Sequence, residues 1–352
     1  MKILGIETSC DETAASVVEN GTKLLSQALS SSIEIHKKTG GIIPEKAARQ
    51  QVQFIIPVIK EALFKAATIS GQSKRKKFSS IGWAKGNIDA IAVTAGQGLI
   101  GSLLVGVEAA KTLAWVWNKP IIPAVHTLAH IYANWLAGPP YPKFPALVLT
   151  ASGGHTILLL MREHSDFQQL GETRDDTAGE AFDKIARSIG LSFPGGPAIE
   201  KSALGGNPTK IHLPRPLINS GDFDFSFSGL KTAVVRTVQT GEFNKSDLAA
   251  ATQEAICDVL VKKTLYALVA TGAESLLLAG GVAANRRLRE QFKEKSPVTT
   301  HIPPIEFCTD NAAMVASFAY FNYYPLPWEK IQAEANIHTA TQMYAKNPNR
   351  SK

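Results

Sequence analysis

His126 and His130 stand four residues apart in His126-Thr127-Leu128-Ala129-His130, just after Pro123, in a segment (124–136) that reads as helical. That spacing puts both imidazoles on one helix face. Two imidazoles there can grip one divalent metal, although paired histidines also occur as plain core or surface residues. Zinc peptidases use the same spacing but place a glutamate after the first histidine as general base. Thr127 holds that position and cannot act as the base, and Leu128 and Ala129 offer no substitute. A third ligand has to come from elsewhere, and a carboxylate at the end of a strand or helix is the natural supplement. Asp310, in Phe307-Cys308-Thr309-Asp310-Asn311, sits at a helix start, where capping is its other reading.

The turn Ala151-Ser152-Gly153-Gly154-His155 lies between two expected strands. Small residues there let backbone N–H groups reach phosphate or acyl oxygens, and an ordinary hairpin turn is the alternative. Asp11 and Glu12 occupy the corresponding turn of the first hairpin, as candidates for proton chemistry or as a solvated turn. Gly280-Gly281 leaves a strand and opens a helix, a geometry suited to a nucleotide. Phe193-Pro194-Gly195-Gly196-Pro197 reads as a rigid loop, Asp175-Asp176 as helix capping, and Asp183-Lys184 as an intrahelical surface pair.

The elements that carry these residues follow from apolar patterning. Strands are predicted over 2–8, 14–18 and 23–30, with a turn at Asn20-Gly21. A similar unit recurs about 140 positions later, with strands over 146–150, 156–161 and 167–171, which predicts an internal duplication. Helices are expected over 44–66, 102–117, 179–190, 248–271 and 311–323, and further strands over 88–94, near Ile121 and over 275–278. A glycine-rich loop spans 95–101.

At 352 residues the chain is too long for one compact core, and 45% hydrophobic residues supply an ordinary interior. No apolar run reaches the ~18–20 residues of a bilayer span, and Glu7 comes too early for a signal peptide. The three cysteines (Cys10, Cys257, Cys308) are widely spaced and form no Cys-x-x-Cys pair, which fits a reducing cytoplasm. The net charge of +7 reflects either surplus surface lysine or a polyanionic partner, with RNA ahead of membrane. The run Ser73-Lys74-Arg75-Lys76-Lys77 reads as a solvated loop or an RNA-facing patch, and the tail after Pro325 as poorly ordered.

Taken in order, these segments resemble one family, the catalytic subunit of the tRNA threonylcarbamoyladenosine synthase, formerly known as a glycoprotease. The resemblance is carried by Gly5-Ile6-Glu7-Thr8-Ser9-Cys10-Asp11-Glu12-Thr13, Gly40-Gly41-Ile42-Ile43-Pro44-Glu45, His126–His130, Ser152-Gly153-Gly154-His155-Thr156 and Gly179-Glu180-Ala181-Phe182-Asp183-Lys184. It continues through 193–197, Phe225-Ser226-Phe227-Ser228-Gly229-Leu230-Lys231-Thr232, Ala279-Gly280-Gly281-Val282 with Asn285, and 308–311. The resemblance implies an α/β, duplicated two-lobe actin/Hsp70/sugar-kinase fold with a central nucleotide cleft. Lobe one is expected over 1–122 plus 310–325, lobe two over 123–309 with the metal and adenylate site at the cleft, and a tail over 326–352. It implies that His126, His130 and Asp310 bind one divalent metal, iron with zinc as the alternative. It also implies that Thr150, Ala151, Ser152, Gly153, Gly154, Asp183, Gly196 and Asn285 contact an adenylate, with Glu200 sometimes counted among them.

The implied activity is transfer of a threonylcarbamoyl group from threonylcarbamoyl-adenylate to the N6 amine of an adenosine beside the anticodon of tRNA. His155, Asp11 and Glu12 are the candidates to help with the proton or shape the site. The implied companions are a related non-catalytic paralogue and a small P-loop ATPase, with no membrane involved. Gln97 replaces a usual proline, Ala129 a usual glycine and Gln51 a usual histidine, and the loop around Lys74–Lys77 is longer than the family pattern. A nucleotide-binding subunit or regulatory protein without transfer chemistry is the competing class. A metallopeptidase lacks its base here, and a sugar kinase would not require the two histidines and Asp310 together.

Overall fold

The structure is a computed structural model that describes residues 1–34, 36, 41–71 and 79–336. The basic run 73–77 and the tail from 337 lie outside the described residues. The chain divides into two compact units, Met1–Tyr141 with Asp310–Lys352, and Pro142–Thr309. Residues 123–141, expected in the second lobe, therefore belong to the first unit.

The first unit is built on strands β1 (Lys2–Glu7), β2 (Glu12–Glu19), β3 (Lys23–Ser31), β4 (Ala90–Gly96) and β5 (Ile121–Val125), in the sheet order β3-β2-β1-β4-β5. β1 pairs antiparallel with β2 and β2 with β3, whereas β4 and β5 run parallel to β1. The β2–β3 turn forms where the sequence places it. Asn20 and Gly21 adopt φ of 52° and 70°, the left-handed pair of a tight hairpin. Every residue of β4 and β5 is buried, which explains why both read as continuous apolar runs rather than alternating ones.

Helices α1 (Pro44–Ile69), α2 (Ser80–Asn87), α3 (Ile100–Trp117), α4 (His126–Tyr132) and α10 (Ala312–Phe321) complete this unit. α1 packs on β2, β3 and α3, and α10 packs on β1, β2 and α4. Pairing of β5 with β4 and packing of α4 on α10 are what bring 123–141 into this unit. The helix at the histidine pair begins only at His126, because Ala124 and Val125 still belong to β5. The segment after Pro325 is tied down rather than loose as far as 336. Leu326 N donates to Ile121 O and Glu334 N to Ala95 O.

The 18-residue α3 meets the length and composition of a membrane span, contrary to the expectation that no such run exists. It carries the ion-paired Glu108 and Lys111, and its buried face, including Leu103, Val107, Ala110 and Trp117, packs on β4 and α1. It is used as a core helix of the sheet.

The second unit repeats the first sheet strand for strand. β6 (Ala146–Ala151), β7 (Thr156–Glu163), β8 (Asp166–Glu172), β9 (Ser275–Ala279) and β10 (Thr299–His301) form the order β10-β9-β6-β7-β8, with β6–β7–β8 antiparallel and β9 and β10 parallel to β6. The predicted duplication is thus present at the level of topology. The helices are α5 (Ala178–Ser188), α6 (Gly195–Ala203), α7 (Ser228–Thr240), α8 (Lys245–Thr271) and α9 (Arg286–Lys295). Three features depart from expectation. α6 begins inside the segment read as a rigid loop, α7 lies where no helix is expected, and a 3₁₀ turn over Gly281–Ala284 separates Gly280-Gly281 from α9.

Candidate functional site

α10 is the element that frees the third ligand of the first unit. Its N-cap is Asn311, whose Oδ1 accepts from Met314 N at 2.9 Å. Asp310 is therefore not the cap, and its carboxylate turns to the histidine pair. His130 Nε2 lies 3.2 Å from His126 Nε2 and 3.2 Å from Asp310 Oδ1, and His126 Nε2 lies 3.5 Å from the same oxygen. A tetrahedral ion with bonds of about 2.0–2.1 Å needs ligand atoms about 3.3–3.4 Å apart. The triangle has that size, so the three donors fit one small divalent ion. Among the described residues no other group of three or more such side chains is placed to hold a metal.

His126 is held from behind. Its Nδ1 lies 3.2 Å from Glu7 Oε2 and 3.0 Å from Ser9 Oγ. Glu7 is wholly buried. Burial alone would raise its carboxyl, but the charge and hydrogen bond of His126, with the Thr94 hydroxyl, hold it below the ordinary glutamate value. Burial would likewise lower His126, yet Asp310 and Glu7 outweigh it and lift the imidazole to about 9. His130 Nδ1, by contrast, is buried without a hydrogen-bond partner.

The β1–β2 turn beside this centre has every carbonyl from 8 to 12 engaged. Gln51 Nε2 lies 3.5, 3.1 and 2.9 Å from Thr8 O, Cys10 O and Glu12 O. Leu99 N donates to Ser9 O at 2.8 Å, and Ser32 Oγ to Asp11 O at 2.8 Å. Gln51 thus has a clear task, since one amide nitrogen serves several acceptors. Gly98 is required by the same turn, because a Cβ there would lie 2.4 Å from Ser9 O. Within the turn, burial raises Asp11, and the Asp310 charge adds to it. Burial also pushes Glu12 up to about 7, helped by Asp11 and Asp310 and opposed by the Ser31 hydroxyl. Glu12 Oε1 accepts from Ser31 Oγ, while its buried Oε2 has no partner. These two carboxylates are not a solvated turn.

In the second unit the turn after β6 is locked from inside. Ser152 Oγ accepts from Gly154 N and His155 N at 3.3 and 3.1 Å, and Ser152 N donates to His155 O at 2.7 Å. Thr177 caps α5 by accepting from Glu180 N, the Glu180 side chain returns the bond, and the Thr177 hydroxyl donates to Gly153 O. Such a cap is worth about 1 kcal/mol, and here it also anchors the turn. Gly280, at φ +85°, sits where a Cβ would lie 2.4 Å from Ala151 O. Gly153, Gly154 and Gly196 differ, for a Cβ on any of them would meet nothing within 4 Å. The fold has no steric need for those three glycines, and they leave open space.

Several sequence-based expectations in this unit are corrected. Asp175 and Asp176 do not cap α5. Asp175 accepts from Ser226 Oγ, Ser228 Oγ and the backbone N–H groups of Phe227 and Ser228, and Asp176 bridges Lys184 and Lys231. Asp183 is not a surface partner of Lys184, since it accepts from Gly195 N at 2.6 Å and is raised by burial. Asn285 caps α9 through Leu288 N and donates to Gln253, and Glu200 Oε1 accepts from Arg286 N at 2.9 Å. Thr150 Oγ1 is buried and unpartnered.

The model of the tRNA N6-adenosine threonylcarbamoyltransferase family matches residues 23–317. This chain belongs to that family. It is 52% identical over 324 residues to the tRNA N6-adenosine threonylcarbamoyltransferase of Dehalococcoides mccartyi, covering 92% of this chain and 94% of the relative. It is 49% identical to that of Thermomicrobium roseum (91% and 92% covered) and 48% identical to that of Bacillus cereus (91% of each). Component A of the (R)-2-hydroxyglutaryl-CoA dehydratase of Acidaminococcus fermentans matches with a TM-score of 0.50 at 14% identity, over 92% of this chain and 98% of that one. That likeness bears on the fold alone. With the repeated sheet topology, it identifies the architecture as the duplicated actin/Hsp70/sugar-kinase fold. Membership makes the chain a transferase that modifies tRNA.

The structure brings His126, His130 and Asp310 together in the first unit, with Asp11 and Glu12 on its β1–β2 turn. His155, Asp183, Gly196, Glu200 and Asn285 lie in the second. Glu7, Ser9 and Gln51 gain a part at the site that residue spacing does not reveal. The sequence signal for Glu7 is a charged residue ending an otherwise apolar strand, which is costly unless it is partnered.

Proposed function

We propose that the chain transfers the threonylcarbamoyl group from threonylcarbamoyl-adenylate to the N6 amine of the adenosine on the 3′ side of the anticodon, in tRNAs reading codons that begin with A, releasing AMP. The observation that carries this reading is the His126/His130/Asp310 triangle, sized for one ion, in a chain of this family. The donor is a mixed anhydride, so AMP leaves readily. The amine is a poor nucleophile because its lone pair is delocalised into the purine, so catalysis rests on positioning and on stabilising developing charge. His126, His130 and Asp310 would hold the metal, iron or zinc, which when bound supplies Lewis-acid stabilisation of a phosphate or carbamoyl oxygen. The Glu12 carboxyl, poised near neutrality, suits it to take the proton the amine loses. Asp11 helps set that poise, and His155 helps shape the locked turn after β6.

In the second unit we assign the adenylate to the turn Thr150, Ala151, Ser152, Gly153, Gly154, to Gly196 and to Asp183, Glu200 and Asn285. The three glycines that face open space support this. Gly154→Ala and Gly196→Ala are expected to leave the unfolding temperature unchanged while raising KM for the adenylate by about 10–200-fold. Gly179→Ala should instead lower the unfolding temperature, because its Cβ would lie 2.5 Å from Ser152 O. Wild-type KM values in both Gly154→Ala and Gly196→Ala would remove this assignment. We further propose a cytoplasmic location and two companions, a related non-catalytic paralogue and a small P-loop ATPase. Reconstitution with these, the enzyme that makes the adenylate, tRNA, threonine, bicarbonate and ATP should yield threonylcarbamoylated adenosine by mass spectrometry. No product with every component present would overturn the proposal.

A further inference from the structure

We infer that Glu7 is a positioning residue for the metal centre, acting through His126. This rests on the metal reading above and deepens it. The Glu7 side chain is wholly buried at the end of β1, and its one ionic contact among the described residues is to His126. A buried carboxylate without a Lys or Arg partner is costly, so this one is retained against a penalty. Its own position is pinned from two sides, by Ser9 N on Oε1 and Thr94 Oγ1 on Oε2, both at 2.5 Å. The remaining interaction of Oε2 is with His126 Nδ1 at 3.2 Å. A pinned acceptor at Nδ1 holds the proton on that nitrogen, so Nε2, which faces His130 Nε2 and Asp310 Oδ1, is the nitrogen that gives up its proton to bind an ion.

The two histidines are unequal in this respect. Nδ1 of His130 is buried with no partner, so nothing comparable fixes its tautomer. Orientation of the imidazole pair is therefore concentrated at His126. The rings meet edge to face, 4.6 Å between centroids at 82°, and a rotation of the His126 ring would carry Nε2 out of the triangle. Ser9 Oγ, 3.0 Å from the same Nδ1, shares the contact, but a hydroxyl can donate as well as accept and so does not select the tautomer by itself.

The test uses the full chain, stripped of metal by chelation and titrated with Zn²⁺ against a chromophoric competitor and with Co²⁺ by visible absorption. Glu7→Gln keeps the size of the side chain and removes its charge. The expected result is an affinity for both ions weaker by about 10–100-fold and an altered Co²⁺ spectrum, with the far-UV circular dichroism of the metal-free chain unchanged. Glu7→Asp draws the carboxylate back from His126 and should also weaken binding, so it decides the question if Glu7→Gln does not fold. Thr94→Val removes a contact of Glu7 without touching His126, and should alter affinity far less than Glu7→Gln. Wild-type affinity and spectrum in the folded Glu7 variants would overturn the inference and leave the metal reading standing. A wild-type chain that binds neither ion would remove both.

Discussion

His130→Ala is expected to lose both bound metal and threonylcarbamoyl transfer. The side chain is 2% exposed and its Nε2 is the vertex shared by the two shortest edges of the ligand triangle. Without it only His126 and Asp310 remain, too few to retain a divalent ion against water and chelators. The loss of transfer should be at least about a hundredfold, the scale seen when one preorganised source of charge stabilisation is removed. Because alanine also leaves a cavity in a buried helix, Asp310→Asn is the cleaner companion. Asp310 is partly exposed and its neighbour Asn311, not Asp310 itself, caps α10. The amide should therefore leave the helix intact while weakening the ion. Metal content by elemental analysis and modified adenosine by mass spectrometry are the paired readouts. A metal-free variant with the wild-type rate would refute the metal's part in transfer.

Glu12→Gln should lower the rate constant of transfer by about 10²–10⁴-fold, while keeping the hydrogen bond to Ser31. Burial, with Asp11 and Asp310 adding to it, raises the Glu12 carboxyl from 4.5 to about 7. It is protonated below that pH and able to accept a proton above it. The wild-type rate should thus climb through about pH 7, and the residual rate of the variant should lose that limb. Stability gives an independent check on the sign. A raised carboxyl binds its proton more tightly in the folded chain, so its contribution is fully present below the unfolded value and fades as pH rises through about 7. Glu12→Gln should remove that fading, and its unfolding temperature relative to wild type should be higher at pH 8 than at pH 5. An unchanged pH–rate profile in the variant would show that Glu12 is not the base.

The centre and the fold are legible in the sequence to different depths. His126 and His130 announce themselves because a four-residue spacing is a property of one helix, whatever surrounds it. The two hairpins at half-chain spacing, with Asn20-Gly21 between strands, likewise reflect local turn chemistry and strand patterning, and the repeated sheet order follows them. The helix over 228–240 and the one starting at Gly195 are not among the helices expected from pattern, although each buries residues four apart, Leu230 and Val234 in one and Ile199 and Ala203 in the other. They owe their place to neighbours. Asp175 holds the start of α7, and Asp183 meets the first N–H of α6.

Chain order and residue type by themselves determined that a metal-capable histidine pair lies on a short helix after an apolar strand, that the peptidase base is absent, and that a turn of small or polar residues follows the first strand of each half. Only the tertiary structure decided that Asn311 caps α10 and leaves Asp310 facing the pair, that Glu7 stands behind His126, and that Gln51 binds the carbonyls of the β1–β2 turn. The physical reason is separation along the chain. Glu7 and His126 are 119 residues apart, and His130 and Asp310 are 180 apart. Such contacts depend on β1 pairing with β4, β4 with β5, and α10 packing across β1. A helical spacing repeats within a few residues and can be read directly, whereas a contact made across three strands exists only once the sheet has closed around it.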